Sequence, residues 1–300
     1  MNAAVRPTAT VFRAALAWLA AGLAGPALAS DADIDRAVLD HLAATAGMHA
    51  RIAAHLDLTA PFHTASRWTL VIAKQPDEEG LDVSGVGDRE GAVRVCFVHD
   101  DRPDCGDAPF LAPYRQRGLP LPAGPLLYEL FDSRIVHDHA GRPLLSIKAC
   151  SAHGGNGSCG ISTVLFEHDA AQDRFRVVFS NLTGSNNNQE TRFIEQGPLR
   201  GAVVVAVPTP TAPFVYRVEL FRRGAEGTYQ LALGYRGHTG YGDGNPLPVI
   251  DAEMPALLAR LGLWTAGDPL PPPPALPAAC TRIFLRHDVE WCDTPTGRDR

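Results

Sequence analysis

Ala202-Val203-Val204-Val205-Ala206-Val207, then Val215-Tyr216-Arg217-Val218-Glu219-Leu220-Phe221, then Tyr229-Gln230-Leu231-Ala232-Leu233 are the segments that decide the fold. The first is a short, continuous, valine-rich run of the kind that forms a buried strand. The second alternates apolar and polar positions. A Pro/Thr-rich connection joins the first to the second, and a turn over Arg222–Gly227 joins the second to the third. Period-two patterning with a tight turn predicts an antiparallel meander.

The same order stands upstream. Arg142-Pro143-Leu144-Leu145-Ser146-Ile147-Lys148 leads through a Gly-rich connection to Ser162-Thr163-Val164-Leu165-Phe166. A turn at His168–Asp173 follows, and then Phe175-Arg176-Val177-Val178-Phe179. Each unit reads strand, loop, strand, turn, strand, which predicts an internal repeat. The stretch Arg134–Arg236 resembles degenerate blades of FG-GAP or VCBS-type β-propellers. The likeness rests on His137-Asp138-His139-Ala140-Gly141 before a strand, followed by the Gly-rich hairpin and the aromatic-flanked third strand. It implies a blade-like meander used for binding. Such blades carry an acidic D-x-D-x-D-G calcium loop at this place. Here only Asp138 and Gly141 echo it, and Gln196-Gly197-Pro198 in the second unit holds no acid. Two units do not close a propeller, so an open sheet, a sandwich or an incomplete propeller-like arrangement is expected.

Working outward, Trp68–Ala73 and Val93–Val98 read as further strands, separated by a polar, Gly-rich loop over Gln75–Gly91. Asp100–Pro125 is turn-rich. Asp31–Leu56 reads as an N-terminal helix, with Ile34, Val38, Leu42, Ile52 and Leu56 near helical spacing and Gly47 as a point of division. Asp31, Asp33 and Asp35 sit where the helix dipole favours acids. Asp251 is placed to cap a short helix whose apolar face is Met254, Leu257, Leu258 and Leu261, ending near Gly262. Asp268–Pro274 is a stiff polyproline-like connector. It leads to a stapled hairpin between Cys280 and Cys292 with Arg282–Leu285 as a strand. The expected class is mainly β, built of antiparallel meanders with an N-terminal and a short C-terminal helix, with α+β as the alternative. The expected segments are 1–29, 30–65, 66–267, 268–279 and 280–300.

Met1–Ala29 reads as a cleavable signal peptide. Arg6 and Arg13 form its positive region, Ala14–Ala24 its apolar stretch, and Ala27-Leu28-Ala29 its small-x-small cleavage pattern. The apolar stretch is short of the roughly 20 residues that a membrane span needs. A periplasmic or secreted location follows, with no anchor after cleavage. The six cysteines, Cys96, Cys105, Cys150, Cys159, Cys280 and Cys292, form three local pairs, and pairing in sequence order predicts three disulfides. The formal charge is −6 with Arg6 and Arg13 and becomes −8 when both leave with the peptide. An acidic chain without a Lys/Arg cluster is a poor match for nucleic acid or anionic lipid.

Three constellations invite chemistry. Gly155-Asn156-Gly157-Ser158-Cys159-Gly160 matches G-x-G-x-x-G, but a strand follows where a dinucleotide site needs a helix. His137, Asp138 and His139 offer two imidazoles and a carboxylate, a set that suits zinc. The competing reading is an exposed polar turn leading into Arg142-Pro143. Asp243 and Asn245, with Asp251 and Glu253 nearby, are oxygen donors flanked by Gly242 and Gly244, a set that suits calcium or a small ligand. The competing reading is a turn followed by a capped helix. No cofactor is required. The function expected is a non-catalytic binding or envelope-interaction protein, with an unknown protein or envelope component as partner. A metal- or acid/base-dependent hydrolase around His137, Asp138, His139 and Asp243 is the alternative, and a purely structural envelope role a third. N-terminal sequencing of the protein recovered after export is expected to begin at Ser30, and a start at Met1 contradicts the signal-peptide reading.

Overall fold

The computed structural model describes residues 30–77, 91–118, 127–153, 159–270 and 276–294. The signal-peptide reading, most of the Gln75–Gly91 loop, the core of the G-x-G-x-x-G match and the proline run of the Asp268–Pro274 connector lie outside these residues. Helix α1 (Asp31–Ala46) opens with a capping box. Asp33 N donates to Ser30 Oγ, and the Asp33 carboxylate accepts from Ser30 N. It ends sooner than the sequence pattern predicts, because Gly47 takes a left-handed conformation (φ 59°) and caps it. Arg51–Asp57 is instead strand β1. Ile52 and Leu56 are four apart, a spacing that fits a helix turn or a strand. A bulge between Ile52 and Ala54 sends them to opposite sides of the sheet.

The chain then runs through α2 (Thr59–Phe62), β2 (Trp68–Lys74), β3 (Val93–His99), β4 (Arg102–Asp104) and α3 (Ala108–Gln116). Helix α3 lies inside the region read as turns, and buries Phe110, Pro113 and Tyr114 along one side. Next come β5 (Glu129–His137), β6 (Pro143–His153), β7 (Cys159–Asp169) and β8 (Arg174–Gly184). β9 (Glu190–Phe193), a 3₁₀ turn at Gly197–Leu199, β10 (Val203–Pro208), β11 (Val215–Arg223) and β12 (Tyr229–Gly240) follow. α4 (Val249–Arg260) precedes a terminal hairpin of β13 (Arg282–Arg286) and β14 (Val289–Asp293).

The described strands form three four-stranded antiparallel sheets in chain order, β1–β4, β5–β8 and β9–β12, plus the hairpin. The two sequence units therefore correspond to β6–β7–β8 and β10–β11–β12, each with one more strand ahead of it.

The sheets stack face to face. On β2, Val71 and Ala73 pack with Ile34, Val38 and Leu42 of α1, while Leu70 and Ile72 pack with Leu145, Ile147 and Val164 of the second sheet. The other face of the second sheet sets Leu144, Leu165 and Val178 against Val203, Val205 and Phe193 of the third. The far face of the third sheet sets Val204, Ala206 and Val218 against Val249, Leu257 and Leu258 of α4. The hairpin then covers the remaining side of α4, with Ala252 against Val289 and Cys292. Chain order and layer order are the same.

Two polar clasps tie the layers. Asp138, fully buried in the β5–β6 turn, accepts from Ala140 N and Arg142 N at 2.9 Å and from Arg142 Nε at 2.8 Å. It also accepts from buried Arg223 of β11 at 3.1 Å, and Arg223 reaches Glu167 of β7 as well. Gly201 makes this approach possible. Its φ is 80°, and a Cβ there would lie 2.2 Å from His139 N. Asp173, in the β7–β8 turn, accepts from Ser66 Oγ at 2.7 Å, Trp68 Nε1 at 3.0 Å and His168 Nε2 at 2.9 Å, joining the second sheet to the first. These hydrogen bonds hold the Asp173 carboxyl below the usual carboxylate range.

Two of the expected disulfides are present, Cys96–Cys105 and Cys280–Cys292. The third is not. Cys150 and Cys159 are buried thiols on neighbouring strands. The β6–β7 register sets Cys150 opposite Ile161 and Cys159 opposite His153, so the two are out of line. A thiol titration in guanidinium chloride without reductant is expected to find two thiols per chain. A count of zero would restore the third bridge.

Candidate ligand cleft

The residues singled out in the sequence are placed apart. His137 and His139 are exposed at the β5–β6 turn, while Asp138 between them points inward to Arg142 and Arg223. Alternation along an extended chain sends neighbours to opposite sides. Here it spends the one carboxylate on the clasp. Asp243 closes its own turn, accepting from Gly240 N at 3.0 Å and Asn245 N at 2.9 Å. Asn245 pins the terminal hairpin. Its Nδ2 donates to Glu290 O at 2.8 Å and its Oδ1 accepts from Cys292 N at 3.3 Å. Among the described residues no group of three His, Cys, Asp or Glu side chains has the arrangement of a metal site.

Asp251 and Glu253 are not turn ligands either. Pro248 occupies the N-cap of α4, and Asp251 lies in the first turn. Asp251 forms a two-pronged pair with Arg192 of β9, at 2.5 and 3.1 Å. Glu253 is fully buried and accepts from His238 N, Thr239 N and Thr239 Oγ1 at 2.7–2.8 Å, with Tyr235 OH at 3.2 Å. Gly237 leaves the space this carboxylate needs, since a Cβ would meet Glu253 Oε1 at 2.5 Å. Burial beside Glu253 raises the Tyr235 phenol far above its ordinary range.

Among the described residues, two cavities lie elsewhere, around β9. This strand is the edge of the third sheet, paired with β10 only. One cavity of about 300 Å³ lies on the face of β9 that looks at the second sheet. Its floor is polar: Ser146 and Lys148 of β6, Thr163 of β7 and Thr191 of β9. A second cavity of about 790 Å³ lies on the face toward α4. Ile194, Leu199, Met254, Leu258 and Leu270 make its apolar wall, and Asp251 and Glu290 its acidic end. Arg134, Arg192 and Phe193 line both cavities, so the two meet round β9. The larger volume falls in the range of small-molecule sites.

The charges of this cleft are unequal in their satisfaction. Arg192 is held by Asp251 and by Glu190, and Arg134 by Glu195 at 2.8 Å and Asp132 at 3.3 Å. Burial raises the Glu190 carboxyl, opposed by Arg192. Glu290 is 7% exposed, and its carboxylate has no hydrogen-bond partner among the described residues. Burial and then the neighbouring Asp251 charge push its carboxyl up. The hydroxyl of Thr163 is buried without a partner among the described residues. Sequence reasoning missed these residues because the cleft draws side chains from β5, β6, β7, β9, α4 and β14, and no local spacing records that convergence.

Comparison with protein-family models, curated proteins and solved structures finds no match.

Asp138→Asn is expected to cost about 3 kcal/mol near neutral pH, because it takes from buried Arg223 one of its two carboxylates and leaves Glu167 as the other. Joint replacement of His137 and His139 by alanine stays within about 0.5 kcal/mol. Burial works to raise the Asp138 carboxyl, but the Arg142 hydrogen bonds and charge win and lower it. A lowered folded pKa adds stability above about pH 4 that is lost as the pH falls. The difference between wild type and Asp138→Asn in urea unfolding should therefore shrink below that pH, and a difference that grows on acidification contradicts the clasp.

Proposed function

We propose that this chain is an exported, non-catalytic binding protein that holds a small envelope component in the cleft around β9. The observation that carries the reading is the 790 Å³ cavity whose apolar wall ends at the buried Glu290 carboxyl, a group with no hydrogen-bond partner among the described residues. Glu290 lines the cavity with no protein donor on its carboxylate among the described residues, so a donor on a bound ligand would replace water there with a charge-assisted hydrogen bond. The cleft walls belong to strands and a helix rather than to long loops, which suits a site formed before its ligand arrives. The stacked meanders are consistent with the blade-like use in binding that the FG-GAP/VCBS resemblance implies. Two disulfides fit an oxidising compartment. No helix among the described residues is long and apolar enough to cross a membrane.

A second reading is favoured by one feature. Asp251 is ion-paired to Arg192, and burial raises the carboxyl of Glu290 beside it. Two carboxyls in contrasting environments are the equipment of acid/base hydrolysis.

Native mass spectrometry separates these readings. After incubation with envelope extract, the oxidised mature chain is expected to carry a small-molecule adduct that leaves it chemically intact. Met254→Trp, which fills the apolar arm, should lose the adduct at an unchanged melting temperature. Release of a cleaved product favours the hydrolase, and an adduct that survives Met254→Trp removes the cleft as the site.

A further inference from the structure

We infer that the cleft is bipolar and that its ligand is a peptide-sized zwitterion, with its acidic group at Lys148 and Thr163 and its ammonium at Glu290 and Asp251. The inference rests on the binding reading above and adds the chemistry of the ligand.

The argument begins at the arm between the second and third sheets. Leu144, Ser146 and Lys148 share one face of β6, which runs from apolar to charged along the strand. Lys148 is half-buried in the wall of this arm, and its ammonium makes no ion pair among the described residues. Thr163 is 6% exposed and lines the same arm, with Oγ1 unpartnered. Buried Ser146 adds a second hydroxyl beside them. An unpaired cation with hydroxyl donors is the set that receives a carboxylate or another small acid.

The opposite arm has the opposite need. Glu290 lines the cavity with no donor on its carboxylate among the described residues, beside Asp251, whose two oxygens already face Arg192. An incoming ammonium would give Glu290 a donor and a counter-charge together. The other charged side chains of the cleft already have partners of opposite sign: Arg134 with Asp132 and Glu195, and Arg192 with Glu190 and Asp251. The two unsatisfied charges therefore have opposite signs and lie on opposite faces of β9. Between them stand the edge of β9 and the apolar wall of Ile194, Met254 and Leu258. An extended peptide offers what this path can take, namely backbone groups for a strand edge, apolar side chains for the wall and a charge at each end.

The test uses the tetrapeptide Ala-Leu-Leu-Ala in four forms: free, N-acetylated, C-amidated and blocked at both ends. Each is titrated calorimetrically into the oxidised mature chain at pH 7. The free form is expected to bind at least tenfold more tightly than either singly blocked form. Lys148→Met should weaken the free form about tenfold and leave the C-amidated form unchanged. Glu290→Gln should do the same for the free and N-acetylated forms.

Thr163→Val supplies an independent readout. Replacing an unpartnered buried hydroxyl should raise the melting temperature of the empty protein while weakening the free peptide. Ser162→Ala is the control. Its hydroxyl is also buried without a partner, but it does not line the cleft. It should raise the melting temperature without changing affinity. Equal binding of the free and doubly blocked peptides overturns the bipolar inference and leaves the binding reading standing. Binding by none of the four forms overturns the ligand class, and the adduct experiment with extract then judges the binding reading separately.

Discussion

The structure depends on one constraint: the second strand of each sheet is apolar on both faces. β2, β6 and β10 each present hydrophobic side chains to two neighbours. A strand of this kind cannot lie at a protein surface, because each exposed face would leave several apolar side chains in water, at about 25 cal/mol per Å². Every sheet therefore needs a cover on both sides. The chain supplies covers in the order in which it emerges: α1, first sheet, second sheet, third sheet, α4 and hairpin. Burial of α4 follows from the same rule, since its third-sheet side meets Val204 and Val218 while Ala252 meets the hairpin.

Polar groups then decide register and leave the opening. Apolar contact is non-directional and does not specify how one sheet is rotated on the next. The Asp138–Arg223 and Asp173–Trp68 hydrogen bonds are directional and link turns of successive sheets. Where the seam between the second and third sheets changes from Leu144 and Leu165 to Ser146, Lys148 and Thr163, close packing ends and the cleft begins. β9 has only four residues, so the edge of the third sheet is short at this point. The cavity is thus a consequence of the polar sequence on one face of β6 and of a short edge strand.

Much of the fold was legible because it is local. Val203–Val207, Val215–Phe221 and Tyr229–Leu233 announce strands by their own pattern, and the face of Leu257 and Leu258 announces α4. The errors arose where a local pattern fits two outcomes or where a neighbour decides. Ile52 and Leu56 fit a helix and a bulged strand equally well, and the open edge of β2 selected the strand. Cys150 and Cys159 are close in sequence, but the β6–β7 register kept them out of line. The site was barely legible. His137, Asp138 and His139 advertise metal chemistry by residue type, yet Asp138 is consumed by Arg223 from a strand more than eighty residues away. Glu290, Lys148 and Thr163 are unremarkable in sequence and acquire meaning only from what fails to pair with them in space.

Hydrogen exchange followed by mass spectrometry on the oxidised chain from Ser30 onward tests the continuous stack most directly. Three sheets that share cores on both faces should open together, so amides of β2, β6 and β10 should exchange at the same slow, globally limited rate, well behind β1, β9 and the terminal hairpin. Exchange of β2 or β10 at a rate far from that of β6 would mean that the sheets open as independent units, and would contradict the account.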